Sequence, residues 1–158
     1  CFTCFQSMTA PPSQSEFRQI PHLSPEYDAT VQLRQQLLRA PLGLKFDPAE
    51  LAAENHDIHI AGFDASGKMI ACLVLSKTHD GVALRMRQVA VASELQRQGI
   101  GSQLVHYAES ITAERGFPNL ILHARQEVAG FYLRLGYSKI GQPFTEVGIP
   151  HIAMEKSL

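Results

Sequence analysis

Apolar and polar positions recur along this chain with two different periods, and the points where the period changes mark its elements. Phe17 to Ile20 suits a short strand. Ser24 followed by Pro25 sets an N-cap with proline in the first turn. From Tyr27 to Arg39, apolar side chains at Tyr27, Val31, Leu37 and Leu38, with Leu33 and Leu37 four apart, suit an amphipathic helix that Pro41 and Gly43 stop. Asp47 caps a second short helix, Pro48 to Glu54. Three strands follow: His59 to Phe63, Met69 to Ser76 and Val82 to Val91, joined by turns at Asp64-Ala65-Ser66-Gly67 and Asp80-Gly81. Helical spacing returns between Gly99 and Gly116, where Ile100, Leu104, Ala108 and Ile111 form one stripe. Asn119 to Ala124 reads as a buried strand and Gln126 to Leu135 as a helix. Tyr137 to Ile140 and His151 to Lys156 form a last extended pair.

Helices that separate strands late in the chain require crossover connections, so the expected architecture is a mixed sheet with helices on both faces. The length of 158 residues fits one domain, with 45 % apolar and 18 % charged residues as in ordinary globular chains. Lysine and arginine balance aspartate and glutamate to a net charge of −1, which disfavours a nucleic-acid partner. No apolar run is long enough to span a membrane.

Cys1 and Cys4 precede the first methionine, and Cys72 lies in the apolar run Met69 to Leu75; this is no disulfide framework. Cys72 reads as a small buried hydrophobe. Residues 1–7 lack the form of a signal peptide and read as an expression-tag remnant, with a single domain over residues 8–158. The expectation is a cytoplasmic protein.

The most informative stretch is Val89-Ala90-Val91 followed by Ala92-Ser93-Glu94-Leu95 and Gln96-Arg97-Gln98-Gly99-Ile100-Gly101-Ser102. A strand ends, a polar turn follows, and two glycines open an amphipathic helix. The first helical amides lack intrahelical acceptors, and the helix dipole is positive there. Glycine removes the Cβ that would keep a ligand away, so the turn suits a phosphate or pyrophosphate. It is not a Walker A loop, and it lacks the three glycines of a dinucleotide fingerprint.

Gln96 to Gly101 matches the Q/R-x-x-G-x-G/A loop of one superfamily, and Arg87-Gln88-Val89-Ala90-Val91 resembles the strand that precedes that loop. Phe131-Tyr132-Leu133-Arg134-Leu135-Gly136-Tyr137 matches its Phe-Tyr-x-x-x-Gly-Phe/Tyr motif. On these residues the chain resembles the GNAT superfamily of acyl-CoA-dependent N-acyltransferases over about residues 16–156. The resemblance implies an α/β (α+β) fold, a twisted and mostly antiparallel sheet with a central parallel pair splayed for acetyl-CoA. It implies that the amides from Arg97 to Ser102 hold the pyrophosphate and that Val89 to Val91 pair with the pantetheine arm like an added strand. Arg97 stands where the family often has glycine, and Arg125 where it often has Asn or Gln.

Acyl transfer from a thioester to an amine needs a neutral amine, a stabilised carbonyl oxygen and a protonated leaving thiolate. The resemblance assigns the second task to the Val89 amide and the third to the Tyr132 hydroxyl. Without it, Tyr132 reads as a packed ring on an amphipathic helix. For the base, His151, His123, Glu54 and a water chain all stand open. His56 and His59, three apart, would point to opposite faces of a strand, so no metal is expected. The block Arg34 to Leu44 lies where the family places acceptor-recognising helices, an aliphatic turn flanked by arginines that suits an acceptor with an apolar body or an anionic group.

The implied function is transfer of the acetyl group of acetyl-CoA to a primary amine in a ternary complex, with a small-molecule acceptor favoured over a protein. The alternatives are a catalytically silent acyl-CoA-binding module of the same fold and a structural interaction domain. Homodimerisation is a further trait that the resemblance implies.

Overall fold

A computed structural model of the chain describes residues 15–158. The expected tag remnant, with Cys1 and Cys4, lies outside the described residues. The elements are β1 (Glu16–Ile20), α1 (Pro25–Arg34), α2 (Pro48–Ala52), β2 (Ile58–Phe63), β3 (Met69–Lys77), β4 (Leu84–Val91), α3 (Ile100–Glu114), β5 (Asn119–Arg125), α4 (Ala129–Arg134), β6 (Ser138–Glu146) and β7 (Ile149–Ser157). The strands form one seven-stranded sheet in the order β1-β2-β3-β4-β5-β7-β6. All neighbours are antiparallel except β4 and β5, the parallel pair at the centre.

Two apolar clusters lie on the sheet. The larger joins Ile60, Leu73, Leu84, Met86 and Leu120 to Leu104, Val105 and Ala108 of α3 and to Tyr132 of α4. The smaller joins Ile20, Ala61 and Phe63 to Tyr27 of α1. On β2, Ile60 belongs to one cluster and its neighbour Ala61 to the other, as the two-residue period of a strand requires. Helices therefore cover both faces.

Local signals act as the sequence indicates. The Tyr27 amide donates to Ser24 Oγ at 3.1 Å. Asp47 and Glu50 form a reciprocal capping box at the start of α2.

Three expectations are corrected. The helix expected to run regularly to Arg39 leaves α-helical geometry after Arg34, and Gln35–Arg39 form a wider π-type turn. Gln35 explains the change. Its side chain donates to the Leu44 carbonyl at 2.8 Å and accepts from the Phe46 amide at 3.1 Å, tying the following loop to the helix. The last two strands are longer than expected, because β6 runs on through Gly141 and Pro143. As an edge strand it tolerates both through a register shift between Ile140 and Phe144. Finally, His56 is not on a strand but ends the short turn Ala53–His56, while His59 is buried on β2.

Candidate active site

Between β4 and β5, pairing is confined to Leu84 with Leu120, Arg85 with Ile121 and Met86 with Leu122. Just beyond, β4 is bulged against β3. Cys72 lies opposite Ala90 and Val74 opposite Arg87, so Leu73 faces two residues, Gln88 and Val89. Gln88 takes up the extra residue at a φ of 57°. A bulge bends its strand and sharpens the twist, here carrying β4 away from β5.

The gap opens into a cavity of about 930 Å³. Val89 of β4, His123 of β5, Tyr132 of α4, Glu146 of β6 and His151 of β7 line it, and Leu38 and Arg39 of the wide turn form part of its wall. The structure thus brings Val89, Tyr132, His123 and His151 to one cavity, with Gln96 at its edge.

Past Val91, the loop leads into α3. Gly99, at φ 85°, takes the left-handed conformation that a side chain would strain, and no side chain caps the helix. The first helical bond is donated by the Gln103 amide to the Gly99 carbonyl at 3.1 Å. The amides of Ile100, Gly101 and Ser102 precede it and have no acceptor within the helix. A Cβ at Gly101 would sit 3.4 Å from Phe131 Cζ and 3.9 Å from Val91 Cγ2, so the helix start packs closely onto β4 and α4. Gln96 donates to the Val91 carbonyl at 3.0 Å and Gln98 to the Glu94 carbonyl at 3.3 Å, bonds that shape the loop. Arg97 is exposed at φ 68°. Uncommitted amides, a positive helix end and an adjoining cavity fit the diphosphate and arm of an acyl-CoA.

Tyr132 is buried, its ring edge-on to those of Phe131 and Tyr137. Burial pushes its hydroxyl up to about 12, so the phenol keeps its proton at neutral pH.

Opposite, two imidazoles gather around a carboxylate. His123 Nδ1 lies 3.0 Å from Glu146 Oε1, and His151 Nε2 lies 4.0 Å from Glu146 Oε2. The Phe144 ring meets His123 edge-on and stacks on His151, steadying both. His151 Nδ1 is 2.7 Å from the Ile149 carbonyl, which only accepts, so Nδ1 carries the hydrogen and Nε2 of the neutral ring is left as the acceptor.

Glu54 lies elsewhere. It takes two bonds from Arg34, at 2.9 and 3.0 Å, and one from the Tyr27 hydroxyl at 2.7 Å. Burial opposes its ionisation, but the bonds from Arg34 and Tyr27 outweigh it and hold the carboxyl below its usual range. This network ties α1 to the turn after α2, and it also occupies Arg34. Cys72 is buried with its thiol pushed up to about 12 by desolvation, the inert state expected of a packing residue. Among the described residues, no group of three or more His, Cys, Asp or Glu side chains is placed to hold a metal. No helix among the described residues is long and apolar enough to cross a membrane.

Glu146 and Arg85 are cavity-lining residues that sequence reasoning missed. No motif marks them, because β4 and β6 bring them together only through the sheet.

A mixed sheet split at its single parallel pair, with a glycine-led helix at the split, defines the acyl-CoA N-acyltransferase fold. The family model for an acetyltransferase (GNAT) domain matches residues 44–158, and the chain belongs to that family. Among curated proteins it is similar to the uncharacterized protein YyaT of Bacillus subtilis (strain 168), with 33 % identity over 49 % of this chain and 53 % of the other. It is also similar to the uncharacterized N-acetyltransferase YitI of the same organism, with 39 % identity over 48 % of this chain and 52 % of the other. The chain spans about half the length of the curated relatives it matches. Among solved structures it shares the fold of an acyl-CoA N-acyltransferase from Pseudomonas aeruginosa, at a TM-score of 0.77 and 21 % identity over 90 % of this chain and 99 % of that one. An aminoglycoside 6'-N-acetyltransferase complexed with coenzyme A shares it too, at a TM-score of 0.75 and 18 % identity over 90 % and 96 %.

Proposed function

We propose that this chain transfers the acetyl group of acetyl-CoA directly to a primary amine within a ternary complex. The observation that carries this reading is the split beyond Met86 and Leu122, which leaves Val89 and Tyr132 facing one cavity beside the uncommitted amides of α3. A bound acetyl-CoA supplies the activated acyl group. The amides from Arg97 to Ser102 bind its pyrophosphate, with Gln96 holding the loop. The backbone of Val89, Ala90 and Val91 receives the pantetheine arm as an added strand. The Val89 amide stabilises charge on the thioester oxygen, and Tyr132, which keeps its proton, donates it to the leaving thiolate. His151 Nε2, fixed as an acceptor by the Ile149 carbonyl, takes a proton from the incoming amine. Residues 8–158 act as one domain in the cytoplasm, and the acceptor is a small molecule. Light scattering at several concentrations tests for a homodimer.

A thermal shift on protein lacking residues 1–7 tests the cosubstrate. At about a hundred times the dissociation constant, acetyl-CoA adds about 2.7 kcal/mol, a rise of roughly 5–10 °C for a domain this size. No rise at saturation overturns the reading. A rise without acetylation across a broad amine panel favours the silent binding module instead.

A further inference from the structure

The cavity carries an unbalanced charge. Arg39, Lys77, Arg85, Arg87 and Arg125 line it, and among the described lining residues Glu146 is the one carboxylate. Two of these cations, Arg39 and Arg87, have partners that hold them. Arg39 pairs with Glu50 at 3.1 Å. Arg87 donates to Ser76 Oγ at 3.1 Å and lies 3.6 Å from Asp57.

Arg85 is different. Its Nε is buried with no hydrogen-bond partner, although a buried guanidinium N–H left unpaired is costly. Its contact with Glu146 is 3.7 Å, beyond hydrogen-bond range, and Glu146 Oε1 is already engaged by His123 at 3.0 Å. Burial, and secondarily the neighbouring Arg87, weaken its hold on its proton even against the pull of Glu146. Glu146, the carboxylate beside Arg85, is thus shared with His123 and leaves the Arg85 Nε unpaired.

Its position separates it from the cosubstrate's phosphates. Arg85 lies on the part of β4 still paired with β5, opposite Ile121. The glycine loop begins beyond Val91, six residues further along the same strand, or about 20 Å at the usual rise. Val89 lies between the two. A thioester carbonyl at Val89 therefore leaves Arg85 on the acceptor side, where Leu38 and Leu42 of the wide turn add an apolar wall.

We infer that Arg85 anchors an anionic oxygen group of the acceptor, so that the substrate class is an aliphatic amine bearing a carboxylate or a phosphate. This rests on the transferase reading above and deepens it. The planar fork of arginine suits both groups, binding two oxygens at once. Arg85 is a specificity residue here and takes no part in the proton transfers.

The test measures acetylation by mass spectrometry with 4-aminobutyrate, 6-aminohexanoate, O-phosphoethanolamine, n-butylamine and spermidine. The same amines are titrated calorimetrically into the free and the CoA-bound protein. At least one anionic amine is expected to exceed n-butylamine and spermidine about tenfold in kcat/KM, and the better of the carboxylate and phosphate arms identifies the group. Arg85→Gln is expected to raise KM for that amine by about ten- to hundredfold and to leave acetyl-CoA affinity within about twofold. Arg85→Lys, which keeps the charge but not the fork, is expected to fall between. Equal or better use of n-butylamine or spermidine overturns the inference, as does a preference that Arg85→Gln leaves intact. Neither binding nor acetylation of any anionic amine by a protein that binds acetyl-CoA overturns it as well. Failure to bind acetyl-CoA removes the transferase reading alone, because the titration into free protein still decides whether Arg85 holds an anion.

Discussion

Met86 of β4 pairs with Leu122 of β5, and the pairing of the two parallel strands ends with them. Everything proposed for the site follows from that end point. Past it the strands part around the bulge at Gln88, and the backbone of Val89 to Val91 is left without a neighbour on the β5 side. A sheet edge in the middle of a sheet is an accessible row of donors and acceptors, and an extended amide-containing arm is suited to fill it.

Tyr132→Phe removes one hydroxyl from a buried ring and leaves its packing against Phe131 and Tyr137 intact. Turnover is expected to fall by about 10²- to 10⁴-fold, the usual contribution of a positioned acid. The acetyl-CoA dissociation constant, measured by calorimetry, is expected to change by less than about threefold. An unchanged turnover removes Tyr132 from the chemistry.

Gly101→Val places its Cβ 3.4 Å from Phe131 Cζ and adds two methyl groups at the helix start. Acetyl-CoA affinity is expected to drop more than about tenfold, while Gly101→Ala, which needs only a small shift of the ring, loses less. The thermal shift with acetyl-CoA reads both, and circular dichroism of the variants confirms folding. Undiminished binding by a folded Gly101→Val protein dissociates this helix start from the pyrophosphate.

His151→Gln removes the acceptor nitrogen that faces Glu146 while keeping a side chain able to bond the Ile149 carbonyl. At neutral pH, kcat is expected to fall about a hundredfold, and the loss to narrow as rising pH deprotonates the free amine. His123→Gln is expected to have a smaller effect, since its Nδ1 is engaged with Glu146. The reverse order in steady-state kinetics makes His123 the base.

The buried cluster of Arg34, Glu54 and His59 makes stability depend on pH. His59 is held below its ordinary value of 6.5, first by burial, and Glu54 below its ordinary 4.5. Protonation of His59 would place a second N–H at Nδ1, which is buried without a partner. For both groups the unfolded chain takes up the proton at higher pH than the folded one, so acid favours unfolding. Tm is therefore expected to be flat between about pH 6.5 and 8, to decline below about pH 6.5 as His59 contributes, and to decline further below about 4.5. His59→Gln is expected to flatten the first decline in a pH series of melts. Arg34→Met, which leaves Glu54 buried without its cation, is expected to cost about 3–5 kcal/mol at pH 7. That corresponds to a fall of roughly 6–20 °C in Tm.

Much of this protein was legible in its sequence, because the signals concerned are local. Ser24, Asp47 and Gly99 mark helix starts through the conformation or hydrogen bonding of their own residue, so one residue type suffices to place the boundary. The turn signals at Asp64 to Gly67 and Asp80-Gly81 and the stripe on α3 are likewise properties of a few consecutive residues, and they determined the element order and the mixed sheet. The spacing of Gln96 to Gly101 and of Phe131 to Tyr137 carried the family. Tertiary structure decided the rest. The register shift that bends β4 at Gln88 depends on what lies opposite on β3, and nothing in the strand's own sequence states it. Arg34 and Arg39 look equivalent on the helix, yet the fold buries one against Glu54 and turns the other toward the cavity. The sequence offered Glu54 and not Glu146 as a candidate base, yet tertiary packing set Glu54 in a structural ion pair and Glu146 beside two imidazoles. Burial, partner and distance are relations between residues far apart in the chain, so a single sequence determines the chemical groups available and the folded sheet determines which of them meet.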